Sequence, residues 1–189
     1  MEDNMVRDDI PKVYTDNIVR NAKPESDSAA IVRSNLLKAY DIIAELTPLK
    51  TDCGELCGKA CCSPDEDGQG GMLLFPGEHE ICAGDWCRID STPSGDILTC
   101  LSPCPRDARP LACRIFPLTP VFSKGAWTVR MDARARRMCP LVRYGVKGLD
   151  REFALAVREA IRLIASDPEG EKFLQDWQAA EEEFRGFTL

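Results

Sequence analysis

The stretch DREFALAVREAIRLIASDPEGEKFLQDWQAAEEEF, residues 150–184, decides how the chain is organised. In its first half Phe153, Val157, Ala160, Ile161 and Ile164 recur at helical spacing and share one face. Asp150 is a natural N-cap for that helix. Asp167 and Pro168 then supply a second N-cap and a first-turn proline. The helix they open carries Phe173, Leu174, Trp177, Ala180 and Phe184 on one side. Two amphipathic helices joined this tightly predict an antiparallel hairpin. Their apolar faces read as core, not as a cofactor box.

Working outward, SDSAAIVRSNLLKAYDIIAEL predicts another helix over 28–46. Ser26, Asp27 and Ser28 offer capping groups, and Val32, Leu36, Tyr40 and Ile43 form its apolar stripe. Pro48 lies just past its end. Residues 1–25 are polar and aperiodic and read as a solvated arm. Between 49 and 145 the apolar runs are short: GMLLF at 71–75, DILTC at 96–100, IFPLTPVF at 115–122 and WTVRM at 127–131. They read as short strands, with DEDGQGG at 65–71 and STPSGD at 91–96 as turns. The predicted class is α+β: a helix-dominated single domain over 26–189 with few short strands. Its middle, 53–140, is rich in cysteine and loops, and a C-terminal helical hairpin occupies 150–185.

With 189 residues the chain suits one domain. A domain of that size buries about 70% of its unfolded surface, so it needs no covalent staples to fold. The start, MEDNMVRDDIPKVYTDN, lacks the apolar segment of a signal peptide, and no apolar run is long enough to span a membrane. The expected compartment is therefore cytoplasmic and reducing, and no membrane partner is expected. There, ten cysteines point to metal or redox chemistry rather than to structural disulfides. The net charge of −7 argues against nucleic acid as a partner. The basic run MDARARRMCP does not reverse this, because no aromatics are interleaved in it. Charge is nonetheless uneven. Residues 104–147 hold ten Lys or Arg against two Asp, while 150–189 hold ten acids against five bases. Most of the latter read as solvated helix faces.

All ten cysteines lie between 53 and 139, and four fall in TDCGELCGKACCS, residues 51–63. Cys53, Cys57 and Cys61 are spaced so that a turn can aim their sulfurs at one metal, with Gly54 and Gly58 permitting sharp backbone. Cys100 and Cys104 meet the same rule in CLSPC, while Cys113 and Cys139 must be brought in by tertiary structure. Adjacent Cys61 and Cys62 would point apart in an extended chain, leaving one free to ligate a second metal, pack or react. Four thiolates satisfy one tetrahedral site and eight satisfy two. Cys82 and Cys87 read equally well as packing residues. Arg109 and Arg114, in RPLACRIFP, are placed to donate charge-assisted hydrogen bonds to sulfur or to a bound anion, or to pair with acids of the C-terminal helices. His79 is the single histidine and reads as a surface residue rather than a ligand or base. The C-x3-C-x2-C pattern of radical enzymes using S-adenosylmethionine is not met, since the second gap here is three.

CGELCGKACC, followed by CPRDARPLACRIFPL and by the Cys-Pro at 139–140, resembles the CxxCxxCC family of bacterial YkgJ-type cysteine-cluster proteins. The resemblance covers residues 53–140 and implies a zinc- or iron-chelating domain. Its pattern falls on Cys57, Cys61, Cys62, Cys104, Arg109, Pro110, Cys113, Arg114, Phe116, Pro117 and Cys139. Joined to the spacing argument, the expected metal ligands are drawn from Cys53, Cys57, Cys61, Cys62, Cys100, Cys104, Cys113 and Cys139, with Arg109 and Arg114 beside the cofactor. An iron–sulfur cluster is preferred over zinc, because a cluster accepts widely spaced ligands and cationic neighbours. Such a centre would contribute on the order of 10 kcal/mol to folding. The expected function is metal binding in a structural or redox role. The alternatives are an enzyme or maturation factor of methyl-transfer type, and a metal-free thiol-redox protein.

Overall fold

The computed structural model describes residues 27–62 and 71–187. The predicted arm at 1–25 and most of the turn at 65–71 lie outside the described residues. Helix α1 spans Asp27–Ile43 and buries Val32, Leu36, Tyr40 and Ile43, the stripe its periodicity predicts. It ends three residues earlier than the sequence suggests, where Ala44 turns to φ 28°. Short helices follow at His79–Cys82 (α2) and Leu111–Ile115 (α3), then the long α4, Arg151–Ile164, and α5, Pro168–Phe187. Asp150 caps α4 by accepting from the Phe153 N–H at 3.0 Å. Asp167 caps the start of α5 by accepting from the Gly170 N–H at 2.7 Å.

Two small antiparallel sheets complete an α+β domain. In the first, β1 (Met72–Leu73), β2 (Cys87–Thr92) and β3 (Gly95–Cys100) lie in the order β1-β3-β2. In the second, β4 (Leu118–Ser123) pairs with β5 (Ala126–Met131). Strand β2 is not foreshadowed by an apolar run. Arg88, Asp90, Ser91 and Thr92 give it a polar sequence, and it exists because β3 pairs with it.

The two C-terminal helices are joined as tightly as predicted, but each finds its main partner elsewhere. Helix α4 lies along α1, and α5 lies along β4. The reason is the wide apolar face of α4. Phe153, Val157, Ala160, Ile161 and Ile164 are buried in one cluster with Leu36, Ala39 and Ile43 of α1. The β4–β5 hairpin touches both helices, α4 through β5 and α5 through β4. Phe173 and Trp177 of α5 close on Phe75, with ring centroids 4.9 and 5.4 Å from it. Ala180, predicted on the same face, is exposed. Most acids of α5 are exposed, but Glu181 is buried and accepts from Arg130, from Arg185 at 2.7 Å and from the Ala133 N–H at 3.0 Å. Burial pushes its carboxyl up, yet those donors win and hold it below the usual range. Among the described residues no helix is long and apolar enough to cross a membrane.

Candidate metal centre

Beyond α1 the chain folds into a series of tight turns. Asp52 accepts from the Gly54 N–H at 2.9 Å and opens a 3-10 turn over Cys53–Leu56. Gly58 and Lys59 then take φ values of 59° and 60°, reversing the chain. Glycine adopts that conformation freely; Lys59 does so at a cost. A second 3-10 turn, Ala60–Cys62, follows. This turn overturns one expectation. Adjacent Cys61 and Cys62 do not point apart, because the segment is not extended. A 3-10 turn swings successive side chains by about 120°, and the two thiols sit within hydrogen-bonding reach of each other.

Six thiols line one cavity of about 460 Å³: Cys53, Cys57, Cys61, Cys62, Cys113 and Cys139. Cys113 is carried there by α3, and Cys139 by the turn before Pro140. Cys100, at the end of β3, and Cys104 stand close enough to influence the same sulfurs. The eight predicted ligands fall into two neighbourhoods. Cys53, Cys57 and Cys139 act on one another. Cys62, Cys100, Cys104 and Cys113 do the same, and Cys61 faces both Cys57 and Cys113. Among the described residues, no three His, Cys, Asp or Glu side chains are already gathered as a metal cage.

Burial is the first cause raising Cys53, Cys100, Cys113 and Cys139 above the ordinary thiol range, and neighbouring thiols add to it. Cys62 moves the other way. A hydrogen bond from Cys61, with Arg109 and Lys59 nearby, lowers it despite burial, and Cys61 rises in consequence.

Arg109 and Arg114 part company. Arg109 donates to Cys104 and faces Cys62 and Cys113, while its buried Nε finds no partner among the described residues. Its guanidinium is thus directed at sulfur, one of the roles its sequence context predicts. Arg114 instead donates to the carbonyls of Arg106, Asp107 and Arg109 at 2.9, 3.0 and 3.0 Å, and lies 4.5 Å over the Tyr40 ring. It pins the 106–109 loop to α1 at the rim of the cavity. Among the described residues neither arginine pairs with an acid of the C-terminal helices.

Cys82 is fully buried with its sulfur 3.5 Å from the Tyr40 hydroxyl, and its thiol is pushed up to about 12 by burial and by Glu78. It packs, one of the two readings its sequence context allows. His79 is half-exposed, pairs with Asp96 at 3.1 Å and stands at a separate cavity with Arg33, Glu80 and Glu169. Two residues near the centre escape the sequence reading. Lys59 becomes a cation beside Cys62 only through its left-handed turn. Glu78 becomes a buried carboxylate under α3 only through tertiary contacts. No signal in the sequence marks either.

No protein-family model, no curated protein and no solved structure matches the chain.

Proposed function

We propose that the protein holds a metal centre through cysteine thiolates in the 460 Å³ cavity, with a structural or redox role. The observation that carries the reading is convergence. Six thiols from three separate stretches of chain open into one cavity, and two more stand close enough to influence their sulfurs. Packing alone does not call for this, since a core filled by small hydrophobes leaves no such volume between them. The donor set suits a soft metal or an iron–sulfur cluster. Gathered thiolates repel one another, and Arg109 and Lys59 offset that charge. The unpartnered Nε of Arg109 supports the same reading, because a buried donor of this kind calls for an acceptor. An iron–sulfur cluster is preferred over zinc, since the ligands are spread over two neighbourhoods and lie beside cations.

A second reading, thiol redox chemistry without metal, is favoured by the Cys61–Cys62 pair. A lowered thiol touching another thiol is a nucleophile beside its own resolving partner. One experiment separates the two. Protein purified without oxygen is assayed for iron, zinc and acid-labile sulfide, and its thiols are alkylated. Iron with sulfide and a broad visible absorption is the expected result. Zinc without sulfide keeps the thiolate centre and removes the cluster. Neither metal, with Cys62 alkylated ahead of the other cysteines, overturns the reading in favour of thiol redox chemistry.

A further inference from the structure

The hairpin of β2 and β3 brings together two thiols that the sequence keeps 13 positions apart. Cys87 and Cys100 are direct partners in its register. Pro93 and Ser94 form its two-residue connection, closed by Thr92 opposite Gly95. At the far end the Leu101 N–H donates to the Trp86 carbonyl at 2.8 Å. Antiparallel pairs alternate between hydrogen-bonded and non-hydrogen-bonded, and the latter are the closer, with Cα atoms about 4.5 Å apart. Counting from either end of the hairpin, Cys87 and Cys100 form a non-hydrogen-bonded pair. A disulfide requires Cα atoms about 4.4–6.8 Å apart, so the backbone spacing already suits one. Opposed residues also project from the same face. Both thiols pack at the edge of the small cluster of Leu74, Cys82 and Leu98, and both are partly exposed. At present the Cys87 thiol donates to the carbonyls of Cys82 and Gly84 at 3.4 and 3.5 Å. Rotation of that side chain is the movement required.

We propose that Cys87 and Cys100 form a reversible cross-strand disulfide, making the hairpin a thiol–disulfide exchange site for small disulfides such as oxidised glutathione. One thiolate of the pair attacks a sulfur of glutathione disulfide, forming a mixed disulfide and expelling one glutathione thiolate. The other thiolate attacks the protein sulfur of that mixed disulfide and expels the second. The protein loses two electrons and two protons, and the glutathione disulfide gains them as two thiols. Cys82, the other thiol beside Cys87, is fully buried. Cys100 also faces Cys62, Cys104 and Arg109. The disulfide therefore withdraws it from the centre. That coupling rests on the thiolate reading above, whereas the cross-link does not.

The test treats the whole protein with oxidised glutathione, alkylates the remaining thiols and cleaves the chain before its aspartates. Cleavage isolates residues 85–89, with Cys87 alone, and residues 96–106, with Cys100 and Cys104. The expected product is these two peptides joined, with fragmentation placing the bond at Cys100 and reduction releasing it. The Cys87→Ser variant loses that product entirely. Recovery of alkylated Cys87, or its attachment to any other cysteine, overturns the proposal. Metal is measured on the same samples before and after oxidation. Release from the wild type, with retention in Cys87→Ser, is expected. Retention in the cross-linked wild type overturns the coupling. Protein without metal at the outset defeats the metal reading and leaves the peptide assay intact.

Discussion

Glu78 is buried with 0% of its surface exposed, yet both of its oxygens are engaged. One accepts from the Phe75 N–H at 2.7 Å; the other accepts from the Leu111 N–H and the Tyr40 hydroxyl. Burial outweighs these donors and the Arg114 charge and raises the carboxyl to about 7. A proton arriving there has a place to go. The Tyr40 hydroxyl can turn toward Cys82, 3.5 Å away, and accept from the protonated acid. The folded state thus keeps a proton that the unfolded chain releases near its ordinary 4.5. The resulting stabilisation is complete below that value and is lost as pH rises through about 7. The loss is on the order of 3 kcal/mol. Denaturant unfolding across this window should show the midpoint falling as pH rises. Glu78→Gln should lack that fall and be weaker at low pH, since its amide nitrogen meets either the Phe75 or the Leu111 N–H donor to donor. Equal slopes in the two proteins would refute the assignment. Nothing in PGEHEIC announces this residue. Its donors come from Tyr40 and Leu111, 38 and 33 positions away, and a buried carboxylate is recognised only by what surrounds it.

Helices α4 and α5 meet at a point where one hydrogen atom matters. A Cβ on Gly170 would stand 2.2 Å from the Ile164 carbonyl oxygen. That atom belongs to the end of a buried helix and cannot yield. Gly170→Ala should therefore destabilise the fold by about 1–3 kcal/mol despite the better helix propensity of alanine. Thermal unfolding checks it, and a neutral or stabilising result would show that α5 shifts freely on α4. The long helices α1, α4 and α5 were legible because each buries a stripe that repeats every three to four residues. Their pairing was not, because periodicity gives a face and no address for it. Strand β2 and helix α3 were hidden for another reason. One is polar along most of its length, and the other is five residues held between prolines. The turn that joins the Cys61 and Cys62 thiols was also missed, since two neighbouring letters carry no torsion angles.

The molecule divides its labour in space. The main core is built by α1, α3, α4, α5 and the β4–β5 hairpin; Cys53 and Cys139 pack against it, and Cys82 reaches it through Tyr40. The thiol loop is held instead by turns and by its neighbours across the cavity. On the proposed metal centre, removal of metal with a chelator should raise hydrogen exchange across residues 53–62 and near Cys139, leaving the amides of Phe153–Ile164 protected. Uniform loss of protection would mean that the centre holds the whole fold together. The candidate ligands were legible as a set, because thiols at these spacings announce themselves; their division into two neighbourhoods was not. The pairing of α1 with α4 has a consequence in time. A ribosome adding about 5–20 residues per second completes α1 and then needs on the order of 10 seconds to deliver its partner. Every cysteine of the chain is made within that interval. The thiols therefore emerge before the core can close over them, when metal ions, small thiols and chaperones all have access to the nascent chain.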